Sequence, residues 1–159
     1  VVQAGLFTPP LDVRGKRDGL NLLYHLNELG LPAVYSSVHT NPKSLKERSA
    51  VVQKFVAAIA ESIYFVEKNP EKAKASLGKV LKLNDQEILQ SAYDAYAKVL
   101  TNRTLIVPAN AVSDAVDEAR EAGTTVKRKP SDLFDNSFAE QLEKSGFLRL
   151  IWGEMPQRR

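Results

Sequence analysis

The sequence contains no cysteine, and this absence excludes several kinds of protein at once. Without a thiol there is no disulfide framework, no thiolate nucleophile and no cysteine-ligated metal cluster. Histidine is nearly as scarce, because the 159 residues include only His25 and His39. A metal site built from several histidines is therefore not predicted, and we assign no metal ligand.

Methionine occurs once, at Met155, and the sequence begins with Val1. We therefore expect Val1 not to be a translational start and an upstream segment to be missing. Glycine and proline are also infrequent, at 8 residues each, in a chain that is 43% apolar and 26% charged. This composition excludes a disordered, collagenous or low-complexity protein and fits one globular domain or part of a larger one.

The sequence also lacks a long uninterrupted hydrophobic run and a large excess of charge of one sign. The longest apolar stretch, from Val51 to Val66, is interrupted by Lys54 and Glu61, so we expect a buried helix of a soluble protein rather than a membrane span. No signal peptide is recognisable. The net charge of +3 is spread over the whole sequence, and we expect no nucleic-acid partner.

Three segments before residue 41 predict short strands, because they are rich in apolar and β-branched residues or partly alternate. The first ends at Pro9 and Pro10, which lack backbone donors. Between the first and second, Leu11–Arg17 predicts a short helix that stops at Gly15 or Gly19. The three predicted strands are Val1–Phe7, Leu20–Leu26 and Ala33–Val38.

After residue 41 the pattern predicts roughly five helices. Asn69-Pro70 marks one helix start, and Asn84 with Glu87 forms a capping-box pattern at the next. Later boundaries are expected at Pro108, Gly123, Ser131 or Asp135, and Gly146. The predicted fold class is therefore α/β, mainly helical after residue 41.

The sequence contains no nucleophile elbow, phosphate-binding loop, dinucleotide fingerprint or zinc-protease motif. We therefore predict a protein that is not an enzyme, with no catalytic residue and no cofactor. The loop Phe7-Thr8-Pro9 stands where strand ends of α/β sheets line ligand crevices, although an ordinary strand-to-helix turn gives the same pattern. The adjacent hydroxyls of Ser36 and Ser37 favour a ligand contact or an edge strand equally.

Taken in order, these segments resemble the C-terminal portion of the periplasmic solute-binding proteins of ABC importers, in the branch that binds nitrate, sulfonates, taurine and thiamine precursors. No single motif is specific, and the resemblance rests on the order of the pieces across nearly the whole sequence. The pieces are Phe7-Thr8-Pro9-Pro10, Tyr35–Thr40, Ser49–Glu67, Asn69–Ala73, Asp85–Leu89, Asp135–Phe138 and Glu140–Phe147.

The resemblance implies an α/β fold of two lobes that close around a ligand and deliver it to a membrane permease. Residues 1–40 would form the end of the second lobe and the return hinge, and residues 41–159 the helical C-terminal part. Phe7, Thr8 and Pro9 would face the cleft, with Ser36 and Ser37 on the hinge side. Arg14 departs from the small or apolar residue expected there, which an anionic ligand or a solvent-facing side chain would explain.

The implied location is periplasmic or extracytoplasmic, with membrane association through the permease or a lipid anchor. The sequence alone would then bind ligand weakly or not at all, and its unpaired strands could promote self-association. Two alternatives stay open. One is an α-helical protein-interaction module, and the other is a relative of the thiamine-pyrimidine-precursor synthases, whose cysteine-rich signature is absent here.

Overall fold

A computed structural model describes residues 4–29, 34 and 37–156, and this part of the chain is all-helical. The structure is 63% helical, and no strand or sheet occurs among those residues. The α/β fold class predicted from the sequence is therefore wrong for the described part of the chain.

The described residues form eight α-helices, two short 3-10 turns and one π-helical segment. The 3-10 turns are Leu26–Leu29 and Pro130–Asp132, and the π-helical segment is Asp94–Leu100. The α-helices are α1 Leu11–Arg17, α2 Pro42–Glu47, α3 Ser49–Lys68, α4 Pro70–Leu81, α5 Gln86–Tyr93, α6 Ala109–Glu121, α7 Ser137–Lys144 and α8 Phe147–Trp152.

None of the three predicted strands is found among the described residues, and residues 1–3 of the first segment lie outside them. Residues 4–7 and 20–25 have no regular secondary structure, and Leu26 begins a 3-10 turn instead. Most of the third segment lies outside the described residues, and its described members, Val34, Ser37 and Val38, also have no regular structure. A strand is stable only when a neighbour satisfies its backbone N–H and C=O groups, and the described residues supply no such neighbour.

Several predicted helix boundaries agree with the structure. Helix α1 covers the predicted range, α4 begins at Pro70, and Gly123 and Gly146 follow helix ends with the positive φ angles that favour glycine. The capping box predicted at Asn84 is wrong, because Asp85 is the N-cap of α5. Its carboxylate accepts hydrogen bonds from the backbone N–H groups of Glu87 and Ile88.

The chain divides into two compact units. Unit 1 comprises Val1–Gly30 and Phe65–Thr101, and unit 2 comprises Leu31–Tyr64 and Asn102–Arg159, so the division falls within α3. The domain boundary expected near residue 40 stays a prediction.

The core of unit 1 is built mainly by α5 and the π-helical segment that continues it. Helix α5 packs against α4 and α1, and the Tyr93 hydroxyl donates a hydrogen bond to the Val66 carbonyl. Gly78 of α4 lies so close to the following loop that a side chain there would meet the Leu83 carbonyl. The buried apolar residues of this unit are Val13, Ile88, Leu89, Ala92, Tyr93 and Ala97.

The core of unit 2 joins α3 to the C-terminal helices. Ala60, Leu142 and Leu148 form its buried cluster, and the rings of Tyr64 and Trp152 make a T-shaped contact with their centroids 5.1 Å apart. Helix α3 is less buried than the sequence predicts, because Ala60 is its single fully buried residue. By length and composition alone α3 could cross a membrane, a test that core helices of soluble proteins also pass.

Candidate ligand-binding residues

Phe7, Thr8 and Pro9 lie in the loop that leads into α1. The Thr8 carbonyl accepts a hydrogen bond from the Leu11 backbone N–H at 2.9 Å, which closes a turn before the helix. The Phe7 side chain is 46% exposed, and one edge of its ring lies beside Gly15, where a Cβ would be 3.9 Å away. The loop therefore presents an aromatic surface and a hydroxyl on a short turn that α1 anchors.

Arg14 lies on α1, one turn into the helix, and it is exposed. It belongs to the same continuous segment as the loop, in unit 1. Because α1 is short and begins directly after the loop, an aromatic ring, a hydroxyl and a guanidinium occur within a segment of eight residues, 7–14. The exposure of Arg14 satisfies the solvent-facing interpretation and leaves its cation available to an anion.

The two serines belong to a different part of the chain from the loop and α1. Ser36 lies outside the described residues, and Ser37 is exposed in unit 2, with no strand around it. The Ser37 Oγ lies 2.8 Å from His39 Nε2. In catalytic serine–histidine pairs a third group commonly orients the imidazole, and no hydrogen bond from His39 to a carboxylate is found in the described part of the chain.

A cluster of charges that the sequence interpretation missed joins α1 to the start of α5. The Arg17 guanidinium contacts the carboxylates of Asp85 and Glu87, with the shortest N to O distance to each being 2.5 Å. Asp85 also accepts the two backbone N–H bonds of the α5 N-cap. An acidic helix start and a basic helix end are visible in the sequence, but their separation of 68 residues hides the pairing.

The electrostatics of this cluster follow from its hydrogen bonds. The Arg17 side chain, and after it the Ile88 backbone N–H, stabilise the ionised carboxylate and lower the pKa of Asp85 from 3.8 to about 2. The hydrogen bonds of Arg17 to Asp85, and to a lesser extent to Glu87, raise the pKa of Arg17 above its ordinary value. Arg17 and Asp85 therefore carry opposite charges at neutral pH and form an ion pair.

A second polar link lies one turn along the same two helices. The Ser91 hydroxyl donates to the Asp12 carboxylate, with both oxygens 3.2 Å away. Asp12 is in the first turn of α1, and Ser91 is on α5. Helix α1 is thus held to α5 by polar contacts near both of its ends.

Among the described residues, no group of three or more histidine, aspartate or glutamate side chains could hold a metal ion. Comparison with known proteins adds no assignment. The sequence matches no protein-family model, and neither a curated protein nor a solved structure is similar to it.

Proposed function

We propose that this chain is part of the substrate-binding component of a bacterial ABC importer, which captures a small organic molecule or anion and delivers it to a membrane permease. The resemblance of the ordered segments to the solute-binding proteins supports the proposal. So does the position of those segments, since Asn69-Pro70, Asp85 and Asn136-Ser137 each stand at a helix start. An α/β architecture is not part of the proposal.

The observation that carries the proposal is the exposed segment formed by the loop and α1. An aromatic face can pack on the apolar part of a small molecule, and a threonine hydroxyl can donate or accept one hydrogen bond. A guanidinium offers paired donors to a carboxylate, sulfonate or nitrate. Phe7, Thr8 and Arg14 supply these three groups, with Pro9 restricting the backbone between them.

In this role the protein performs no chemical reaction and needs no cofactor. Its work is closure around the ligand, because the ligand shifts the conformational equilibrium toward the form that binds it better. The protein would act outside the cytoplasmic membrane, held there by the permease or by a lipid anchor. The ligand class that best suits the exposed Arg14 is a small organic anion.

A thermal-shift screen of the native gene product tests the proposal. The panel is nitrate, alkyl sulfonates including taurine, and aminopyrimidines. Because ligand that binds only the folded state stabilises it, one class should raise the Tm in a concentration-dependent manner. A panel that leaves the Tm unchanged at saturating concentrations would overturn the proposal.

Matched variants place the binding on the proposed segment. Arg14→Gln and Phe7→Ala should both reduce the ligand-dependent rise in Tm. Without ligand, Arg14→Gln should leave the Tm nearly unchanged because Arg14 is exposed, whereas Phe7→Ala should lower it slightly because the half-buried ring lies beside Gly15. Lys16→Gln, which removes an exposed cation from the same helix, is the control and should keep the full shift. Equal shifts in all three variants would move the site elsewhere in the protein.

A second candidate function is an α-helical protein-interaction module. The observation that favours it is the all-helical structure of the described residues, together with exposed apolar side chains such as Leu22 at 64% and Leu23 at 82%. An interaction module should give no Tm shift with the small-molecule panel. Its Leu23→Ser variant should instead lose a protein partner that the wild type retains in affinity capture.

A further inference from the structure

The Arg17 side chain spans two acidic residues of another helix. Its Nη1 lies 2.5 Å from Asp85 Oδ2, and its Nη2 lies 3.2 Å from Asp85 Oδ1 and 2.5 Å from Glu87 Oε2. Nη1 therefore donates to Asp85, and Nη2 donates to both Asp85 and Glu87. This arrangement connects the last turn of α1 to the first turn of α5.

The rest of the docking of α1 is slight. The helix has seven residues, and only Val13 and Gly15 are buried. Phe7, which precedes α1, and Leu20, which follows it, both pack beside Gly15, but each residue stays about half exposed. An element with so few buried apolar contacts is expected to open locally without unfolding the whole protein.

Asp85 is the fixed partner of the contact with Arg17. Its Oδ1 accepts hydrogen bonds from the backbone N–H groups of Glu87 and Ile88, at 3.1 and 3.2 Å, and these bonds hold the carboxylate at the N-terminus of α5 independently of Arg17. The acceptor side therefore stays in place when α1 leaves. The mobile partner is Arg17, on the smaller and less buried element.

We propose that Arg17, Asp85 and Glu87 form a salt-sensitive latch that keeps α1 and the loop before it docked on α5. The latch is exposed, so its attraction decreases as mobile ions shorten the screening length from about 10 Å at 0.1 M salt to about 3 Å at 1 M. Release would free α1 together with the loop that carries Phe7 and Thr8. The link from Ser91 to Asp12 is a hydrogen bond from an uncharged hydroxyl to a carboxylate, with no cation in it, so it is less sensitive to salt.

Hydrogen–deuterium exchange of the intact protein, measured by mass spectrometry, tests the latch without any ligand. Exchange of a peptide covering α1 should rise roughly two- to five-fold between about 20 mM and about 500 mM NaCl. A change of this size is expected because salt screens exposed ion pairs, whose contribution to stability is small. Peptides from α5 and α7 should not change, which separates local opening from global unfolding. This outcome does not depend on the proposed transport function.

Variants assign the salt effect to these residues. Arg17→Gln should exchange rapidly in α1 even at low salt and lose the salt dependence, and Glu87→Gln should lie between this variant and the wild type while keeping the Asp85 cap. Arg17→Lys should restore part of the protection, since an ammonium group can pair with one carboxylate but lacks the paired donors of a guanidinium. Lys144→Gln removes an ion pair within α7 and is the control.

Three results would overturn the latch. The first is exchange in α1 that does not respond to salt in the wild type, and the second is an Arg17→Gln variant whose α1 exchange at low salt equals that of the wild type. A loss of protection in α5 as large as that in α1 would also count against it, because the two helices would then be unfolding together.

Discussion

The side-chain amide of Asn136 bonds both backbone groups of Val107. The Val107 N–H donates to Asn136 Oδ1 at 2.8 Å, and Asn136 Nδ2 donates to the Val107 carbonyl at 3.0 Å. The two residues are 29 positions apart, and Asn136 immediately precedes α7. The half-buried Asn136 side chain thus satisfies both the N–H and the C=O of Val107, as a neighbouring strand would do in a sheet.

We expect Asn136→Ala to lower the free energy of unfolding by about 1–3 kcal/mol, because it leaves a partly buried backbone donor and acceptor without partners. Chemical denaturation measures this change. Asn110→Ala, which truncates an exposed asparagine on α6, is the control and should have little effect. Equal stability of the two variants would show that the Val107 groups are satisfied in another way.

Helix α8 offers a matched pair of leucines. Leu148 is fully buried, at 0% exposure, whereas Leu150 is 79% exposed. Leu148→Ala should lower the free energy of unfolding by about 2–5 kcal/mol, because it removes buried methyl groups and leaves a cavity. Leu150→Ala should change it by less than about 0.5 kcal/mol. Denaturant melts that rank the two variants in the opposite order would contradict the described packing of unit 2.

Gly78 should not tolerate alanine, although alanine is ordinarily the better helix former. A Cβ at this position would lie 2.8 Å from the Leu83 carbonyl oxygen and 3.2 Å from Leu89 Cδ1. Because the backbone oxygen cannot move aside freely, Gly78→Ala should lose roughly 1–3 kcal/mol of stability. Ser76→Ala, an exposed change in the same helix, should be neutral or slightly stabilising. Thermal melts of the two variants compare them directly.

The lowered pKa of Asp85 has a defined consequence for pH dependence. Because the pKa is about 2 in the folded protein and 3.8 ordinarily, the cluster contributes stability above pH 3.8 and loses it as the pH falls toward 2. A titration of the Asp85 carboxyl carbon followed by NMR should show a midpoint well below 3.8. In Arg17→Gln the midpoint should rise, while the N-cap bonds hold part of the shift. An unchanged midpoint would exclude the ion pair.

The helices after residue 41 could be predicted from sequence because local signals determine them. Proline at the first helical position and glycine after the last are effective within one turn, so Pro70, Gly123 and Gly146 mark real boundaries. Asn84 was misleading because two adjacent residues can both cap a helix. Asp85, as an ionised carboxylate with a cation beside it, is the stronger acceptor.

Side-chain burial was harder to predict, and the π-helical segment shows the reason. Regular α-helical spacing after Ala92 and Tyr93 predicts that Tyr96 is buried. In the structure Asp94–Leu100 is π-helical, Ala97 is buried and Tyr96 is 42% exposed. The pattern of apolar residues alone does not reveal such a change of pitch.

The strands were wrongly predicted and the charged cluster was missed for a common reason. Both kinds of structure depend on partners that are distant in the sequence. Alternation in Leu20–Leu26 can predict a strand, but only another strand beside it can satisfy its backbone. Likewise the partners of Arg17 lie in α5 and cannot be identified from its neighbours. Of the candidate site, the sequence could give the residue types of the loop and α1, while their exposure required the structure.

The most direct measurement of the proposed function is a calorimetric titration of the native gene product with small organic anions, beginning with sulfonates. We predict saturable binding with one ligand per protein, weakened at least about tenfold in Arg14→Gln by loss of a charge-assisted contact, and unchanged in Lys16→Gln. No heat of binding and no Tm shift with any anion or aminopyrimidine, from a protein that is folded by the criterion of a cooperative melt, would contradict it.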